Sequence, residues 1–281
     1  MKLTNNHGLP EYLVRWLSRD EYDHIPGTYS ATGLLKPARM LELTRRHGKD
    51  LTIDVADLIA SRYGTALHDS ISHALEGAGW ESEQRYKASF EGVRIVGKPD
   101  LLFDGRIVDF KSTSVWKFIH REYDEYVKQL SIYKWLLGAN GVETGEGEIC
   151  FLFTDWTKSK CLQDQDYPKL RTATIRLALW PAAMTEGFMR ERIKEIEAAR
   201  DCLPLCPDAE LWRDEPVWAL MKQGKKRSRK NCKTLEEAEE LKAEGEYIEA
   251  RPGKVKRCNY CACRPVCDQY KQMLNDGVIA D

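Results

Sequence analysis

One stretch limits the fold of this chain more than any other: Arg94 to Lys111, R-I-V-G-K-P-D-L-L-F-D-G-R-I-V-D-F-K. β-Rich segments, Ile95-Val96 before and Ile107-Val108 after, flank Asp104-Gly105, a dipeptide suited to a two-residue type I′ hairpin turn. That turn pairs Phe103 with Arg106, and counting back along both strands sets Asp100 opposite Asp109. Opposed residues on antiparallel strands have Cβ atoms roughly 4.5 to 5.5 Å apart, and like charges there repel, so the pair calls for a cation. Alternation returns Lys111 to the face of Asp109. Two carboxylates and a lysine on one face suit a hard divalent metal that holds water and phosphate while an ammonium orients the nucleophile. A solvated surface hairpin is the alternative, because short motifs match by chance.

G-K-P-D followed by V-D-F-K resembles the paired motifs of the PD-(D/E)XK nuclease superfamily, in its RecB-like branch, with Asp109 where many members carry Glu. The resemblance implies an α/β, restriction-endonuclease-like fold, a mixed central sheet flanked by helices. It implies Mg²⁺ or Mn²⁺ held by Asp100, Asp109 and the Phe110 carbonyl, with Lys111 orienting water. Upstream, Asp54 is a good N-cap for a helix running to about Leu75 that contains G-T-A-L-H, Gly64 to His68. Gly64 suggests a close approach by another backbone or by DNA, and a lone helical histidine is more often structural. RecB-like nucleases carry a G-x-x-x-H helix in which the histidine assists metal binding, which makes His68 a candidate ligand. Glu81 to Phe90 reads as one strand. Glu83 matches an acidic position beside the metals in the family, with Glu81 competing because it shares the same strand face.

After Lys111 a helix is expected from about Arg121 to Leu137, with Tyr126, Gln129 and Tyr133 on one face. Q-x-x-x-Y is the pattern that RecB-like enzymes place after the lysine, so Gln129 and Tyr133 read as site residues and Tyr126 as packing. Strands at Ile149–Phe153 and Thr172–Trp180 and a helix at Ala182–Ala199 complete the core. Ser30 to Arg39 reads as a short helix capped by Ser30 and stopped near Pro37, with Lys36 and Arg39 at its basic end either touching a phosphate or, by preference, facing water.

Beyond Asp201 the composition changes, which suggests a core over 1–200 and a small basic, cysteine-rich subdomain over 201–281. Val217 to Lys233 is the densest positive run, and with the Thr234–Glu237 capping box and a strand near Glu246–Ala250 it suggests a β-β-α-β insertion whose hairpin tracks a phosphate backbone or is simply solvated. Lys plus Arg total 43 against 44 acidic residues, so attraction to nucleic acid must come from such local patches. Nine cysteines fit a disulfide framework poorly. Cys258-x2-Cys261-x5-Cys267 resembles the terminal triplet of iron–sulfur nucleases, including AddB-type proteins and CRISPR adaptation exonucleases. Those relatives take a fourth ligand upstream of the nuclease motifs, where this chain has no cysteine. Cys206 is the candidate here and Cys263 the local alternative, for a [4Fe-4S] cluster or a structural Zn²⁺.

The expected function is a metal-dependent deoxyribonuclease, an exonuclease of phage or mobile-element recombination. It would act on single- or double-stranded DNA ends, with a recombination or CRISPR-related protein as a further partner. A non-catalytic DNA-binding factor that keeps the fold is the alternative. No apolar run approaches the about 20 residues needed to span a bilayer and the start is polar, so the expected location is the cytoplasm of a bacterial or phage-infected cell.

Overall fold

A computed structural model describes residues 1–19 and 27–279. The chain divides into two compact units. One comprises residues 3–36 and 53–197; the other, 1–2, 37–52 and 198–281. No helix among the described residues is long and apolar enough to cross a membrane.

The first unit is mixed α/β. Its five-stranded sheet runs Thr172–Leu177, Gly147–Phe153, Arg106–Thr113, Leu101–Phe103, Glu81–Ser82 in spatial order. Only the Arg106–Thr113 and Gly147–Phe153 pair is parallel, with Asp109 level with Ile149 and Lys111 with Phe151. A second sheet sets Thr28–Ser30 parallel to Val93–Gly97, which pairs antiparallel with Tyr86–Phe90. The helix Asp124–Ala139 is buried through Tyr126, Gln129, Leu130, Tyr133, Leu136 and Leu137, and it packs on a core that includes Ile95, Ile107, Ile149 and Phe151. Gly97 makes that packing possible: a Cβ there would sit 2.7 Å from Leu136 Cδ1 and 2.8 Å from the Tyr133 ring.

The hairpin forms with Phe103 opposite Arg106 and Leu101 opposite Val108. Asp104 and Gly105 both have positive φ, at 49° and 70°, as a type I′ turn requires. The strand before it differs from expectation. Ile95 and Val96 belong to the second sheet, and the chain breaks at Lys98-Pro99 before the short arm Leu101–Phe103 begins. Proline has no N–H for a ladder, so the break falls where one sheet hands over to the other. The single strand expected over Glu81–Phe90 likewise splits into Glu81–Ser82 and Tyr86–Phe90 in different sheets.

In the second unit, the strands Val217–Lys222, Lys230–Cys232 and Glu246–Arg251 form an antiparallel sheet, with the helix Leu235–Leu241 between the last two in sequence. Thr234 Oγ1 caps that helix by accepting from Glu237 N at 3.1 Å. This unit also takes in the helix Ala38–His47. Pro37 stands at its N-cap with φ −53°, so the proline expected to stop a helix starts one, as its fixed φ allows. Ser30 instead closes a local turn, its Oγ accepting from Gly33 N at 2.9 Å. Arg39, expected in solvent, is 3% exposed. A sequence boundary near Asp201 assigns residues 37–52 to the nuclease core, whereas the clustering of contacts assigns them to this unit.

Candidate active site

Asp100 lies just before the hairpin arm and Asp109 lies in the facing strand, so the register sets them across from each other. Asp100 Oδ2 accepts from Phe110 N at 2.8 Å, which ties the carboxylate to the opposite strand. Asp109 is 2% exposed. Burial, reinforced by the Asp100 charge, pushes its carboxyl up to about 6, against the lowering pull of Lys111. Lys111 Nζ lies 2.6 Å from Asp109 Oδ2, as strand alternation predicts. That ion pair is the one polar contact of the buried Oδ2 among the described residues. A buried carboxylate beside an ammonium and facing a second carboxylate suits a hard cation or a water held by one.

Gln129 bridges the pair. Its Nε2 donates to Asp109 Oδ1 at 3.0 Å and to Tyr133 Oη at 3.2 Å, while its Oε1 accepts from Lys111 Nζ at 3.5 Å. Only a side chain carrying both a donor and an acceptor can hold an aspartate and a lysine together in this way. Tyr126, expected to pack, is buried, and its ring also lies under Lys111 Nζ at 5.6 Å and Lys117 Nζ at 5.5 Å. Sequence reasoning passed over Lys117. Its spacing from Lys111 says little, because a short helix, Val115–Ile119, intervenes.

His68 sits on a helix, Ile59–Ala74, none of whose residues is buried. Its Nδ1 lies 3.3 Å from Asp100 Oδ1 and its Nε2 2.9 Å from the Phe110 carbonyl. Burial works against a charge on the ring, yet the Asp100 carboxylate raises its pKa above the ordinary histidine value. The Phe110 carbonyl, expected to face a metal, is thus engaged by His68. Gly64, one turn earlier, meets Ser112: a Cβ would lie 3.3 Å from Ser112 Oγ, so the close neighbour is this chain's own strand.

Glu83 has φ 56°, which ends the strand after Ser82 and turns the residue out of the alternation that would have grouped it with Glu81. Its N–H donates to the Asp100 carbonyl at 3.1 Å and its carboxylate pairs with Lys98. Glu81 is occupied elsewhere, accepting from Tyr86 Oη at 2.7 Å. Ligand atoms of His68, Glu83 and Asp100 all lie within 4.8 Å of one another, a donor set that fits a divalent ion. Asp109 stands outside this trio, on the Lys111 side of the hairpin.

The cysteine site lies wholly in the second unit. A small recess of about 30 Å³ is lined by Cys206, Cys258, Cys261, Cys263 and Cys267, with Arg39 and Met40 among its walls. Arg39 Nε lies 3.3 Å from Cys267 Sγ, and its other nitrogens reach the Pro204 carbonyl and Asp268. Burial, the Glu210 charge and the neighbouring Cys267 push the Cys206 thiol up to about 12. Cys263 Sγ turns to the helix Ala38–His47, 3.3 Å from Thr44 Oγ1 and 3.6 Å from the Met40 carbonyl. Cys261 and Cys263 are hydrogen-bonded to each other, so two of these sulfurs already meet.

The family model for the PD-(D/E)XK nuclease superfamily matches residues 32–268. The chain belongs to that superfamily. This nuclease carries the mixed sheet with flanking helices expected of a restriction-endonuclease-like fold. Solved structures similar to the nuclease include SSO0001, at 18% identity over 66% of this chain and 84% of that one, TM-score 0.46. An alkaline exonuclease from Laribacter hongkongensis matches at 16% identity over 63% and 91%, TM-score 0.40. A phage-related exonuclease from Haemophilus somnus matches at 14% over 68% and 81%, TM-score 0.31. No curated protein matches the nuclease significantly.

Proposed function

We propose that this nuclease hydrolyses DNA phosphodiester bonds with Mg²⁺ or Mn²⁺, as a RecB-like exonuclease acting at DNA ends in phage or mobile-element recombination within the bacterial cytoplasm. The observation that carries the reading is the buried Asp109 carboxylate paired with Lys111 Nζ, across the hairpin from Asp100. His68, Glu83, Asp100 and Asp109 would hold the ion, which when bound would acidify a water and offset charge on the phosphate oxygens. Lys111 orients the attacking water. Gln129 keeps the ammonium and the Asp109 carboxylate in register, and Tyr133 fixes the Gln129 amide. His68, bonded to both Asp100 and the Phe110 carbonyl, sets the Asp100 carboxylate and gives up a proton where it turns to a metal.

The cysteine recess fits a structural cofactor. A [4Fe-4S] cluster would take Cys206, Cys258, Cys261 and Cys267 as ligands with Arg39 offsetting thiolate charge, and a structural Zn²⁺ is the alternative. Cys263, which touches Thr44 and Met40 as well as Cys261, is the alternative fourth ligand.

Asp109→Ala should abolish Mg²⁺-dependent cleavage of end-labelled DNA while leaving DNA binding in place. Full cleavage by that variant would refute the assignment, and a closed circular substrate that is cut as fast as a linear one would remove the exonuclease reading alone.

A further inference from the structure

The second unit contains a positively charged hairpin in which two kinds of charge separate. Its strands pair Trp218 with Cys232 and Leu220 with Lys230, and Arg229 N closes the loop onto the Leu220 carbonyl at 2.9 Å. Seven basic residues lie on it, and four answer to two carboxylates. Arg229 grips Glu246 through Nε at 2.8 Å and Nη2 at 2.9 Å, a bidentate pair on a carboxylate with no exposed side-chain surface. Lys222 adds its charge to the same glutamate. Lys230 Nζ lies 2.9 Å from Glu237 Oε1, and Lys233 supplies both charge and a backbone N–H to that carboxylate.

That leaves Lys225, Lys226 and Arg227, consecutive at the turn, all exposed and without a carboxylate partner among the described residues. From Lys222 to Asn231 every side chain is polar, so the tip offers no apolar anchor of the sort that protein interfaces depend on and no ring for stacking a base. Phosphate oxygens need neither. The bidentate Arg229–Glu246 pair and the Trp218–Cys232 register hold the root, so the three cations are presented on a fixed stem.

We propose that Lys225, Lys226 and Arg227 form a sequence-independent grip on the phosphate backbone of the DNA substrate. The inference rests on the DNA-cleaving reading above and adds a second place of contact, away from the acidic hairpin in sequence and charge. Three neutralised phosphates contribute about 2.7 to the slope of log affinity against log salt on duplex DNA, and about 2.1 on single strands.

The test is fluorescence anisotropy of labelled duplex and single-stranded DNA with the full chain, without divalent cation, comparing wild type with K225A/K226A/R227A. Raising salt fourfold should cost the wild type about 40-fold more duplex affinity than the variant, and about 20-fold more on single strands. Equal slopes overturn the grip and leave the nuclease reading standing. A wild type that binds no DNA removes both. Polyglutamate that displaces DNA from the tip as well as DNA itself does would assign the tip to an acidic protein and overturn the proposal. Should the triple variant melt early, each single substitution is expected to remove about 0.9 from the duplex slope, and no change in all three overturns it equally.

Discussion

Gly97→Ala tests whether the helix Asp124–Ala139 is held against the strand Val93–Gly97 closely enough to set the site. A methyl group at this buried position would stand 2.7 Å from Leu136 Cδ1 and 2.8 and 2.9 Å from two Tyr133 ring carbons. The leucine tip can rotate, but a tyrosine ring 5% exposed can move only with its helix. Overpacking of this kind costs about 1–3 kcal/mol. At about 2 kcal/mol, a cooperative unit of this size should melt about 4–8 °C lower. The displacement also moves Tyr133 Oη, which accepts from Gln129, so cleavage measured well below the melting temperature should fall as well. Gly187→Ala is the control: it lies in the helix Ala182–Ala198 with nothing within 4 Å of its would-be Cβ, and it should stabilise by up to about 1 kcal/mol. Scanning calorimetry of both variants decides it. A Gly97→Ala melting temperature within about 1 °C of wild type would show that the helix gives way easily, and the packing argument would fail.

Two further expectations concern the second unit. Hydrogen bonds from Arg45 and Arg46 hold the Glu42 carboxyl down to about 2 from 4.5. A depressed folded-state pKa gives stability that is full above pH 4.5 and lost as pH falls through about 2, so Glu42→Gln should lower the melting temperature at pH 7 and flatten the loss of stability between pH 4.5 and 2. Cys206→Ser should remove the brown colour of anaerobically purified protein and Cys263→Ser should keep it, as read by visible absorbance and iron content. A colourless wild type containing zinc would refute the cluster.

The hairpin was legible because Asp104-Gly105 admits few turns and the turn fixes every pair behind it, down to Asp100 and Asp109. Lys111 followed from strand alternation and the helix face of Gln129 from its periodicity, while the reading of Gln129 as a site residue came from the family resemblance. Other features depend on partners far along the chain, to which local pattern is blind. Ile95 and Val96 carry the same β propensity whichever sheet receives them, and Thr28–Ser30 decides that from some 65 residues upstream. Glu83 looks like one more strand residue until its positive φ is seen. Arg39 reads as a solvated cation because the acceptors that bury it, Cys267, Pro204 and Asp268, lie at the other end of the sequence.

The second unit is discontinuous in sequence: residues 37–52 emerge well before 198–281 in synthesis. Leu43, Arg39 and Glu42, all shielded in the finished protein, must therefore wait for the ribosome to deliver their surroundings. A fragment cut near residue 200 would strand that helix with its greasy and charged faces bare, so the nuclease half is best excised with 37–52 replaced by a short polar bridge.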